Sequence, residues 1–142
     1  MAAYLKKLEF RQRYPSVQQG LFILLAEKRI PKDQPVVNLG QVLSTKLCSI
    51  QLADRLSSIA RILSEILVDY PAVTLTHIEL LFTPSFELDV IRTLLAQCRN
   101  RKICIVWPGA IIDGKLYYAT PEHPEFYECD TNPLQDTYIV TE

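Results

Sequence analysis

The stretch Ala72–Gly109 reads AVTLTHIELLF over residues 72–82, TPSFELDVIRTLLAQCRNRK over 83–102 and ICIVWPG over 103–109. The first and last runs are apolar and β-branched, with polar residues where each ends. The middle run places Leu88, Ile91, Leu94, Leu95 and Cys98 at helical spacing. That is a buried strand, an amphipathic helix and a second buried strand. It is the middle of a doubly wound α/β domain, in which the carboxyl ends of parallel strands form the functional edge. Thr83 followed by Pro84 reads as a helix start, with Glu87 and Asp89 near its positive end and Arg99, Arg101 and Lys102 at its C-terminus.

Upstream, residues 4–10 (YLKKLEF) suit either a short strand or the start of a helix. Pro15 breaks the pattern, and Ser16 is read as the N-cap of a buried helix over 17–28 (VQQGLFILLAEK). Pro31 and Pro35 bracket a turn, and PVVNLG (35–40) reads as a short buried strand. From Leu43 to Asp69 the apolar residues Leu52, Leu56, Ile59, Leu63, Ile66 and Leu67 recur at spacings of three and four, opposite Arg55, Ser58, Arg61 and Glu65. A break near Ser49 divides this segment into two helices, and Pro71 closes it. The strand that follows is expected to run over 72–82.

Beyond Gly109 the chain changes character. AIIDGKLYYA (110–119) places Asp113-Gly114 between two apolar runs, a β-hairpin pattern. TPEHPEFYECDTNP (120–133) reads as irregular, and TYIVTE (137–142) as a final edge strand. The reading is therefore one domain over 1–142, with 109–142 a hairpin and irregular extension. It is α/β, with a mainly parallel sheet of four or five strands and helices on both faces.

The totals limit the function classes. With 142 residues, 49% of them apolar, the chain has a core of its own and room for one domain. Its net charge of −1 and pI near 6.1 exclude a broad basic surface but not a local basic patch. No apolar run approaches the ~20 residues of a membrane span, and the N-terminus lacks a secretory pattern, so a cytoplasmic location is expected. Cys48, Cys98, Cys104 and Cys129 are scattered, with no CxxC pair and no adjacent histidine, so buried reduced thiols are expected at Cys98 and Cys104 rather than a zinc site. His77 and His123 accompany no nucleophile motif.

The order of helices and strands matches a small P-loop NTPase core. Over roughly residues 35–128 the runs THIELLFTPSFELDVIRTLLAQCRNRKICIVWPG, DGKLYYATPEHPEFYE and PVVNLGQVLSTKL resemble the small P-loop protein of type 3 BREX phage-defence systems, the BrxF family. The resemblance implies an accessory subunit of a bacterial defence complex that includes a DNA methyltransferase, an ATPase and an alkaline-phosphatase-like protein. Its partners would be those subunits or further copies of itself, with nucleic acid met only indirectly and no membrane.

The chain departs from that pattern at the reactive positions. A phosphate cradle needs GxxxxGK[ST], so that backbone N–H groups surround the phosphates, lysine neutralises them and the hydroxyl binds magnesium. Ahead of the helix expected at 17 the chain reads FRQRYPSVQQGLF, with Gly20 the only glycine before Gly40 and Lys6 and Lys7 on the wrong side. In the strand resembling a Walker B segment Thr76 stands at the first acidic position, and only Glu79 survives as a carboxylate. A non-catalytic subunit without cofactor is therefore expected. ATP and magnesium enter only under the alternative of a regulatory NTPase using Glu79. A nucleic-acid adaptor using Arg11 and Arg13 beside Tyr14, with Arg99 and Arg101, is a third reading.

Partner-binding candidates are Arg99, Arg101, Trp107, Tyr117, Tyr118, Phe126 and Tyr127. Each has a plainer reading: charge at a helix end for the arginines, a cap on the core for Trp107, and a folded-back tail for the aromatic run 117–127. Docking is the favoured reading of that run, because so apolar a loop must be covered. Glu79 is read foremost as an exposed or helix-capped carboxylate at a strand end, and His77 as a hydrogen-bonded structural residue.

Overall fold

A computed structural model of the chain describes residues 2–48, 50 and 52–141, apart from the side chains of 52–57. Strand β1 (Ala3–Leu5) is followed by helix α1 (Lys7–Arg13) and then β2 (Gly20–Leu24). Next come β3 (Val36–Asn38), α2 (Leu39–Leu47), α3 (Leu52–Leu67) and β4 (Ala72–Thr76). Helix α4 (Val90–Ala96) leads to β5 (Lys102–Val106), the hairpin β6 (Ala110–Ile112) and β7 (Lys115–Tyr118), then β8 (Tyr127–Asp130) and β9 (Thr137–Val140).

Six strands form one sheet in the order β1-β9-β2-β5-β4-β3, and every pairing in it is parallel. The remaining three form an antiparallel sheet, β6-β7-β8. The α/β reading with a parallel sheet, helices on both faces and a C-terminal hairpin therefore holds, with six strands in place of four or five. At this coarse level the fold is P-loop-like.

Strand alternation divides the core in two. Leu21, Ile23, Val73, Leu75, Ile103, Ile105 and Ile139 point to one face and meet the buried sides of α2, α3 and α4. Phe22, Leu24, Cys104 and Val140 point to the other, where Leu5 and Phe10 join them in a smaller core under α1. Crossovers toward opposite edges place their helices on opposite faces, because such connections are right-handed.

Several expectations are corrected. Residues 17–28 form no helix: Tyr14–Ser16 is a single 3-10 turn, and GLFIL is the fully buried strand β2. A strand covered on both faces reads as a continuous apolar run, which periodicity cannot separate from a buried helix. The PVVNLG strand is an exposed edge, with Val36 53% accessible, and Asn38 already caps α2 by accepting from the Gln41 amide at 3.0 Å. β4 stops at Thr76, because His77 takes a left-handed conformation (φ 56°) and Ile78–Phe82 coils into a 3-10 helix. Thr83-Pro84 starts only another 3-10 turn, which ends at left-handed Glu87. The N-cap of α4 is Asp89.

β9 lies in the sheet interior between β1 and β2, not at its edge, and part of the supposedly irregular segment is β8. The hairpin is where the sequence places it, with Asp113 and Gly114 both at positive φ. The break near Ser49, and the side chains of Leu52, Arg55 and Leu56, lie outside the described residues.

Candidate functional site

The carboxyl ends of β2, β5 and β4 lie side by side, so the residues that follow them share one edge. The Trp107 amide donates to the Leu24 carbonyl at 2.8 Å, and the Leu25 amide to the Val140 carbonyl at 3.3 Å, which ties the exits of β5, β2 and β9 together. Beside them α2 begins close against β4: a Cβ on Gly40 would lie 3.0 Å from the His77 carbonyl oxygen.

The chemistry at this edge is sparse. At the end of β4, Thr76 is half-buried and its hydroxyl lies 3.0 Å from His77 Nδ1. His77 is exposed rather than packed within a strand. Glu79 sits half-buried on the 3-10 turn beyond the strand end. The cradle sought ahead of residue 17 has no strand–loop–helix setting there. The loop that leaves central strand β2 is 25–35, LAEKRIPKDQP, and it contains no glycine. Among the described residues no group of three or more His, Cys, Asp or Glu could hold a metal ion.

The 25–35 loop is instead held by side chains. Gln34 accepts from the Tyr14 hydroxyl, and its Nε2 donates to Thr74 Oγ1 at 3.0 Å and toward Cys104 Sγ at 3.7 Å. Lys102 Nζ donates to the Tyr14 carbonyl at 3.0 Å and stands 3.9 Å from the Tyr14 ring centroid. Burial, then the Cys104 thiol, holds the Tyr14 phenol far above its ordinary range. Burial also lowers Lys102 and pushes Cys104 up to about 11. These groups are a clamp: in their ground states they hold the loop against β4 and β5. Gln34 went unnoticed in the sequence, where a glutamine before a proline carries no pattern.

The aromatic candidates split into two sets. Trp107 is buried, and its Nε1 donates to the carbonyls of Tyr117 (3.1 Å) and Ala110 (3.3 Å). Phe82 meets it edge-on at 5.7 Å, stacks on Tyr118 at 4.0 Å and lies 5.4 Å from Tyr127. The Tyr127 hydroxyl donates to Asp89 Oδ1 at 2.6 Å and accepts from the Ile91 amide at 3.1 Å, so β8 is docked on the start of α4. Burial, followed by the Asp89 hydrogen bond, raises this phenol strongly. Trp107, Tyr118 and Tyr127 therefore cover the domain's own core. The remaining pair, Tyr117 and Phe126, stack on each other at 6.3 Å and stay partly exposed.

The arginines do not form one patch. Arg99 and Arg101 precede β5 at the amino edge of the sheet, opposite Trp107. Arg13 lies over the Tyr138 ring at 5.5 Å, while Arg11 faces a cleft beside α1. The two histidines are far apart in role as well: His123 accepts from the Glu125 amide through Nδ1 at 3.0 Å in an exposed turn. All four cysteines are free; Cys98 and Cys104 are buried as expected, with Cys48 exposed. No helix is long and apolar enough to cross a membrane among the described residues.

No protein-family model matches this chain, and neither does any curated protein or solved structure.

Proposed function

We propose that this protein is a non-catalytic P-loop-like subunit of a BREX-type anti-phage complex, working by protein–protein contact. The observation that carries the non-catalytic part is the 25–35 loop. In a P-loop-like sheet this is where phosphate would be cradled, yet the loop has no glycine and is closed by Gln34 on Tyr14 and Thr74. A cradle requires successive backbone N–H groups free to face an anion, which a side-chain-clamped loop with Pro31 and Pro35 does not supply. At the end of β4 Thr76 and His77 stand where magnesium would need a carboxylate. The defence-complex part rests on the sequence resemblance. Tyr117 on β7 and Phe126 just ahead of β8 are the aromatic surface offered to a partner subunit.

Calorimetric titration with magnesium and ATP tests this reading. No heat of binding at millimolar nucleotide is expected, together with co-purification of a neighbouring defence subunit that is lost in Tyr117→Ala/Phe126→Ala. Saturable nucleotide binding with turnover that disappears in Glu79→Gln would replace it with the NTPase reading.

A further inference from the structure

Between α1 and the 25–35 loop runs a cleft of about 410 Å³, floored by Phe10, Tyr14 and Ile30. Its walls carry Lys7 and Arg11 on one side and Lys28, Arg29 and Lys32 on the other, against a single acid, Asp33. A chain with 15 lysines and arginines and 16 acids thus gathers five cations in one groove. Among the described residues none of these five is in an ion pair, unlike Arg61 with Glu65 and Arg92 with Asp89. Arg29 Nε is moreover buried without a hydrogen-bond partner. Arg29 also lines an adjoining cleft with Leu25, Ala26 and Thr141, at the carboxyl edge. That desolvated donor costs stability, while the guanidinium's charge, on a half-buried side chain, adds to the attraction for an anion in the groove.

We propose that this groove binds the phosphodiester backbone of a nucleic-acid strand. Lys7 and Arg11 are one helical turn apart, ~6 Å along the axis, so the positive charge forms a line rather than a point. Three cations face it across the groove, a two-walled arrangement that suits a run of phosphates better than a lone anion. Lys102, Phe10 and Phe22 already pack around the Tyr14 ring, which favours contact to the backbone, indifferent to sequence, over stacking on a base. The Gln34 clamp fixes one wall, so the groove exists before its ligand arrives. This goes beyond the subunit reading and does not depend on it. It also replaces the indirect contact with nucleic acid expected from the resemblance by a direct one.

The test is fluorescence anisotropy of the whole protein with a labelled single-stranded oligonucleotide of about 12 nucleotides. Affinity is expected to fall with salt between about 50 and 200 mM, with a log–log slope of about −2 for roughly three phosphates neutralised. Arg11→Ala/Lys28→Ala should weaken binding about ten-fold and flatten the slope, while Arg11→Lys/Lys28→Arg restores affinity and so excludes misfolding. Arg99→Ala/Arg101→Ala, at the opposite edge, should change nothing. Absence of binding at low salt, equal losses in both alanine pairs, or binding of a nucleoside triphosphate without the oligonucleotide would each overturn the proposal.

Discussion

A methyl group on Gly109 would sit 1.8 Å from the Tyr117 carbonyl oxygen, a backbone atom that cannot swing aside. The same carbonyl accepts from Trp107 Nε1, so one short segment holds the indole in the core and lets β6 pass close to β7. Gly109→Ala must push these strands apart and is expected to destabilise the fold by about 2–3 kcal/mol, read from urea unfolding. A variant as stable as the parent would mean that the hairpin seats independently of Trp107. The Trp-Pro-Gly sequence is legible at this scale as a strand end. Whether the tryptophan caps the core or anchors a partner is left open there, because burial of an aromatic at a strand terminus is decided by the hairpin folding back over it.

At the scale of elements, strands were readable where punctuation bounds them: Pro71 before β4 and Pro108-Gly109 after β5 in the parallel sheet, and Asp113-Gly114 between β6 and β7 in the antiparallel one. β2 was not, because GLFIL has no polar position and its distinguishing feature is five-residue length, not periodicity. β8 alternates, with Tyr127 and Cys129 half-buried and Glu128 and Asp130 exposed, yet prolines on both sides hid that pattern. The basic groove was invisible for another reason: its cations come from two separate stretches, KKLEFR and KRIPK, that only the sheet brings together. The loop of the second stretch depends on Gln34. Gln34→Ala should cost about 1–2 kcal/mol, since it strands the Thr74 and Tyr14 hydroxyls. It should also raise amide hydrogen exchange across residues 25–35 without changing that of α4. Unchanged exchange in the loop would show that Pro31 and Pro35 suffice to hold it.

Over the whole molecule, buried thiols couple stability to pH. Burial pushes Cys98 up to about 12 and Cys104 up to about 11 from an ordinary 9.0. The unfolded chain therefore ionises first, so their contribution is complete below pH 9 and is lost as pH rises toward 11 and 12. Stability is expected to be about 2–3 kcal/mol lower at pH 10 than at pH 7.5 in denaturant titrations. Lys102, lowered by burial, acts in the opposite sense, and Cys98→Ala/Cys104→Ala isolates the share of the thiols. A curve for the double variant that matches the parent would assign the pH dependence elsewhere. The sheet order has a further consequence, for synthesis. Among the described residues β1 pairs only with β9, Ala3 against Tyr138 and Leu5 against Val140, so β1 waits for a strand made more than 130 residues later. Until residues 137–140 leave the ribosome, β2 presents a bare apolar edge, and its sequence GLFIL has high strand propensity. Such long-range closure is slow, so the edge is open to wrong pairing during synthesis even though the finished fold shields it.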